Sequence, residues 1–197
     1  MTAYKNLIQD FPQRCIDFLI QFEKQAKECD REVTLMLAVA SVSLVIPYER
    51  LEHYENPSGD AKKYVKAKGK FANDCGNENF IDWIAQDEGK SWKFKELDLS
   101  IINQDPESWL IDAQCLSGDR KVGSNLKHLR NAFAHGNIFI LPESGKIKTL
   151  IFLSQRKNNN IIEGYNLIEV LPEDFYDFLI KWIGFLKSLN LLEPKVD

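Results

Sequence analysis

Arg130, Asn131 and His135 are the residues of this chain whose types and spacing could do chemistry. They lie in the run Arg130-Asn131-Ala132-Phe133-Ala134-His135, which Gly136 closes. Metal-free cleavage of RNA needs a base for the 2′-hydroxyl proton and an acid for the leaving 5′-oxygen. It also needs positive charge at the phosphorane between them. Histidine suits the first two roles because its reference pKa is about 6.5. Arginine suits the third because its planar fork matches phosphate oxygens and stays charged. An amide such as Asn131 can orient the phosphate or the imidazole. No Asp or Glu occurs from Arg120 to Pro142, in a chain whose formal net charge is −4. Arg130 has Leu126, Lys127, Phe133 and Ala134 three and four positions away, so no intrahelical ion pair accounts for it.

An acid–base pair needs a second imidazole. Either His128 partners His135 within one chain, or two copies of His135 meet across a twofold axis, which brings the same patch of each subunit together. Ser124, Lys127 and His128 are the candidate substrate-binding residues beside Arg130, Asn131 and His135 as the catalytic candidates. Blander readings stand next to these. A histidine in a last helical turn also complements the helix dipole, and His128 also reads as a solvated surface residue.

The elements that must position these residues follow from periodicity. Val122, Leu126, Leu129 and Phe133 fall within a stripe of roughly 60° on a helix. Ser124, Lys127, His128, Asn131 and His135 fall on the opposite side, and Arg130 sits at the edge of the stripe. Ser117-Gly118-Asp119 is expected to cap this helix and Gly136 to end it. Earlier, Asp10 is expected as the N-cap of a first helix with Pro12 in its first turn. Its apolar face is Phe11, Cys15, Phe18, Leu19, Phe22 and Ala26. Asp30 is expected to cap a second helix, apolar almost all round over Leu35–Ile46 and kinked or interrupted by Pro47. Asn79–Ala85 and a stretch from Asp105 to about Leu116 read as further helices. After Gly136 the period changes to that of strands, at Asn137–Leu141, Lys146–Gln155 and Ile161–Val170, with turns at 142–145 and 157–160. Leu171-Pro172-Glu173-Asp174 begins a last helix carrying Phe175, Phe178, Leu179, Trp182, Phe185, Leu186 and Leu189. The expected fold is mainly α, a helical bundle with a small antiparallel β-meander at 137–170 before the C-terminal helix.

Composition bounds the rest. The 197 residues are 44% hydrophobic and 27% charged, ordinary for one globular domain, and no linker or repeat divides them. Residues 55–75 form a basic excursion with five lysines over Lys62–Lys70 and Asn56-Pro57-Ser58-Gly59 turn chemistry before it. This excursion reads as a solvated segment or as a second contact surface for a polyanion. Cys15, Cys29, Cys75 and Cys115 make no CxxC pair or His/Cys cluster, which implies reduced thiols, no metal and no cofactor. The four tryptophans are expected in the core. Met1–Lys5 has no apolar signal region, and the apolar run Leu35–Ile46 is 12 residues, short for a bilayer, so a cytoplasmic protein without a membrane role is expected. P-loop, GxGxxG, HExxH and GxSxG motifs are absent.

The Arg130-Asn131-Ala132-Phe133-Ala134-His135 run, with Leu129 before it and Gly136 after it, resembles the Arg-polar-spacer-His signature of the HEPN superfamily. That resemblance implies a helical bundle with the motif near an end of a late helix. It implies a metal-independent endoribonuclease, usually a homodimer whose two motifs form one cleft, often a toxin or a phage and plasmid defence protein. His135 would be acid or base, Arg130 would hold the scissile phosphate, and Asn131 would support both. The expected products are a 2′,3′-cyclic phosphate and a 5′-hydroxyl, from single-stranded or loop RNA whose bases are accessible. Some toxins of the superfamily carry a modifiable tyrosine two residues after the histidine. Here that residue is Asn137, so an antitoxin protein would have to act in another way. The alternative is a non-catalytic HEPN-type module that binds RNA, a nucleotide or a protein partner.

Overall fold

The computed structural model describes residues 7–53, 67–84, 91–111, 114–115 and 120–189. Tyr54, the 56–59 turn, Lys62, Lys63, Lys66, Ala85, Leu116 and the 117–119 cap lie outside them. The elements are α1 (Leu7–Glu28), α2 (Glu32–His53), α3 (67–71, continuing into a π-helical turn Ala72–Gly76) and α4 (Phe80–Ile84). Then come β1 (Lys93–Asp98), α5 (Leu99–Ile102), α6 (Pro106–Trp109), β2 (Gln114–Cys115) and α7 (Val122–His135). The chain ends with β3 (Ile138–Glu143), β4 (Lys146–Asn158), β5 (Ile161–Val170) and α8 (Pro172–Ser188). The expected mainly α fold with an antiparallel meander before the last helix is present. The chain divides into two compact units, Met1–Asn77 with Phe178–Asp197, and Glu78–Asp177.

The first unit is helical. α1 begins earlier than Asp10, so Pro12 lies inside it rather than in its first turn. Its buried row is Ile8, Ile16 and Leu19, while Phe18 of the expected apolar face is half exposed. Asp30 does not cap α2. It adopts φ +54°, with Asp30 N donating to Lys27 O and Arg31 N donating to Ala26 O at 2.8 Å. These two bonds close α1 in a Schellman motif, and the left-handed residue they require is Asp30. α2 continues through Pro47 without interruption. Val33, Met36, Val39, Ala40, Leu44, Tyr48 and Leu51 are buried, as expected of a central helix. By length and apolarity alone Glu32–Leu51 is able to cross a membrane, but in this unit that apolarity goes into packing. Trp182 Nε1 donates to Ser43 O at 2.9 Å, and Phe71 meets the Tyr48, Trp182 and Phe185 rings edge-on. Lys70 donates to Ser188 O at 2.7 Å, so this lysine of the basic stretch holds a helix end.

The second unit is an antiparallel sheet of order β2-β1-β5-β4-β3 with helices on both faces. The meander β3-β4-β5 has the expected place. Both its turns are two-residue loops with positive φ at each position, Ser144-Gly145 and Asn159-Asn160, the geometry that matches strand twist. β1 and β2 enlarge the sheet beyond the expected meander. β2 takes part of the stretch expected to be helical after Asp105, and α6 stops at Trp109. Trp109 Nε1 donates to Ile101 O, and Trp109 packs with Leu97, Ile151, Leu153 and Leu167 on one face of the sheet. Leu150, Phe152 and Ser154 alternate onto the other face, beneath α7. β4 is therefore apolar over Leu150–Leu153 instead of alternating, because both its faces are covered. The four tryptophans are buried, as expected.

Candidate functional site

α7 carries every candidate residue, and tertiary contacts set both its ends. Lys121 occupies the N-cap position without a side-chain cap. In place of a capping side chain, Val122 N donates to Glu78 O at 3.0 Å and Phe80 N donates to Arg120 O at 2.7 Å, beside an Asn79–Lys121 bridge. Lys121 Nζ also donates to Asn79 Oδ1 at 2.9 Å. At the C-terminus, Gly136 has φ +66°, as expected. Gly136 N donates to Phe133 O, and Asn137 N donates to Ala132 O at 2.9 Å, a second Schellman motif. Asn137 O then accepts from Leu153 N at 3.0 Å, which fastens the helix end to β4. Asn137 thus serves as the hinge between motif helix and sheet.

The apolar stripe packs down as expected: Val122, Leu126 and Leu129 are fully buried, and Phe133 stands 5.4 Å from the Phe152 ring, centroid to centroid. Ala132 and Asn125 join them at 0% exposure, so the buried face is wider than the apolar pattern suggested. Asn125 Nδ2 donates to Lys121 O, and its Oδ1 is buried with no hydrogen bond among the described residues.

Ser124, Lys127 and His135 are exposed, and Arg130 and Asn131 are half-buried. Lys127, Asn131 and His135 recur every four residues and form one row about 12 Å long. None of Ser124, Lys127, Asn131 and His135 has a side-chain hydrogen bond or ion pair among the described residues. Arg130 lies on the flank next to the buried stripe, with Nε shielded from solvent. At about 100° per residue, Arg130 and His135 leave the helix about 140° apart, and about 7.5 Å apart along its axis.

His128 does not share the exposed row. It turns under the helix toward the sheet, where its Nδ1 lies 2.8 Å from Ser154 Oγ in a hydrogen bond whose direction follows the tautomer. Ser154 is 1% exposed and stands opposite Asn166 in the β4–β5 register. Phe94 of β1 packs beside the imidazole, and the Arg120 guanidinium stacks over Phe94. Burial, then the nearby Arg120 and Lys127 charges, push the His128 pKa down to about 4. The imidazole is therefore neutral at pH 7. His128 sits at the edge of the buried face because only about 40° of rotation separates it from the fully buried Ala132. The solvated-surface reading of His128 gives way to a part-buried polar contact with Ser154. Ser154 was the missed partner: its one visible signal was a hydroxyl on the otherwise apolar Leu150–Phe152–Ser154 row.

The chain is mainly helical, ends in a meander and a last helix, and carries Arg130, Asn131 and His135 on the helix before the meander. The family model HEPN pEK499 p136 matches residues 1–190, and the chain belongs to that HEPN family. No curated protein and no solved structure matches the chain.

Proposed function

We propose that this protein is a metal-independent endoribonuclease. The observation that carries the reading is the solvent-facing side of α7, itself free of Asp and Glu, on which Lys127, Asn131 and His135 make no side-chain hydrogen bond or ion pair among the described residues. His135 acts as acid or base on the 2′-hydroxyl and 5′-oxygen, Arg130 clamps the phosphate, and Asn131 orients it. Ser124 and Lys127 hold the strand one or two turns away. His128 faces the sheet and is not assigned to substrate. That leaves the second His135, across a twofold axis, as the source of the acid–base pair. The wide angle between Arg130 and His135 on one helix also favours a cleft built from two copies. Such an enzyme acts on single-stranded or loop RNA in the cytoplasm, as a toxin or defence factor restrained by a partner protein.

The test is incubation of the protein with a mixed RNA pool in EDTA, beside His135→Ala and Arg130→Ala. Wild-type cleavage with cyclic-phosphate ends is expected, with each variant at least about 100-fold slower. Full activity in either variant sinks the assignment. RNA binding that weakens with salt and never turns over is the behaviour of a non-catalytic HEPN module.

A further inference from the structure

We infer that the part-buried His128–Ser154 pair is the pin that fixes the rotation and register of α7 on the sheet, and thereby aims Arg130, Asn131 and His135. This inference rests on the ribonuclease reading for its consequence but not for its geometry. Val122, Leu126, Leu129 and Ala132 form the buried apolar stripe of α7, the helix that lies against β4. Apolar surface is non-directional, so a stripe alone tolerates small turns and slips. A hydrogen bond to a buried hydroxyl such as that of Ser154 does not, because that hydroxyl, left without its partner, has no water to replace it. Nδ1 and Oγ are 2.8 Å apart beneath the helix, with Ser154 at 1% exposure. Phe94 with Arg120 stacked on it closes the side of the pocket. Sliding α7 by one residue moves His128 about 1.5 Å along the axis and turns it about 100°, out of reach of Ser154. The same slip carries Arg130 and His135 through the same angle. His128 precedes Arg130 by two residues and His135 by seven, so the pin lies within two turns of every motif residue.

His128 and Ser154 are thus positioning residues, and the experiment must separate aim from stability. His128→Asn keeps a polar atom at the Nδ1 position. His128→Leu and Ser154→Ala each strand one partner. The double variant His128→Leu/Ser154→Ala removes both, and replacing both partners by apolar groups is close to neutral for stability. The readouts are melting temperature, kcat and KM for RNA cleavage, and the NMR positions of the Asn131 side-chain amide and the His135 ring. Either single stranding variant is expected to melt lower. The double variant is expected to regain the melting temperature but to keep displaced Asn131 and His135 signals. Its kcat is expected to be down at least about tenfold with KM within about twofold, as for a misplaced catalytic group. His128→Asn is expected to restore both signals and kcat. Wild-type signals and wild-type kcat in the folded double variant overturn the pin and leave the pair a purely stabilising contact. If the wild type cleaves no RNA, the ribonuclease reading fails while the NMR signals still decide the pin: displaced in the double variant and restored in His128→Asn supports it, unmoved overturns it.

Discussion

At the scale of residues, the two histidines of α7 have opposite surroundings. His135 is exposed in the last turn, whereas His128 is packed against Ser154 and Phe94. The depressed His128 pKa makes a stability prediction with a definite sign. The unfolded chain binds a proton at about 6.5, while the folded chain resists it down to about 4. The stabilisation is therefore complete above about pH 6.5 and is lost as pH falls from there toward 4. A shift of that size corresponds to about 3 kcal/mol as an order of magnitude. Chemical denaturation from pH 7 to pH 4 should show that loss, and His128→Asn should remove this component of the slope. An NMR titration that finds His128 half-protonated near pH 6.5 would contradict the burial argument.

At the scale of elements, helix ends and turns were readable where one residue's backbone preference decides them. Gly136, Ser144-Gly145 and Asn159-Asn160 all take the positive φ that their chemistry allows. Among the described residues nothing lies within 4 Å of a Cβ added at Gly136, so Gly136→Ala meets conformational strain and no clash with them. It should destabilise by about 1 kcal/mol and lower the melting temperature by about 2–4 °C. Gly136→Asn should lose less, and an unchanged melting temperature in the alanine variant would show that α7 can end without the left-handed residue. The expectations that failed at this scale were competitions between local signals. Asp30 carries a helix-capping side chain, yet its place between Arg31 N and the Ala26 and Lys27 carbonyls that close α1 made it the left-handed residue of the preceding helix. The 106–116 stretch has a good helix start at Asp105-Pro106, yet pairing of Gln114-Cys115 with β1 takes its far end.

At the scale of the whole molecule, the formal charge of −4 opposes binding of a polyanion, and the stretch from Arg120 to Pro142, which holds α7, is free of Asp and Glu and offers a local site of attraction. RNA affinity should therefore fall steeply with salt, and Lys127→Ala should reduce that slope by about one phosphate's worth. The proposed cleft shared by two copies would add a concentration signature. Specific activity measured in EDTA should drop on dilution through the dimer dissociation range and recover on reconcentration. Activity per chain that stays constant while sedimentation shows monomers would place the whole site within one subunit.

What the sequence determined by itself was the local order: the motif helix and its glycine stop, the three-stranded meander with its two tight turns, and the amphipathic last helix. Each follows from periodicity or from a single residue's φ preference, and these act over a few neighbours. The acid-free polar face and the Arg130–His135 spacing were also legible, because an α-helix converts spacing directly into angle. Only the tertiary structure decided the rest. That Ser154, 26 residues beyond His128, would draw its imidazole inward depends on which strand lies under α7 and in which register. The width of the buried face, which took in Asn125 and Ala132, depends on the sheet that covers it. Those pairings are non-local, and the same hydrophobic pattern is compatible with several of them until the chain has closed on itself.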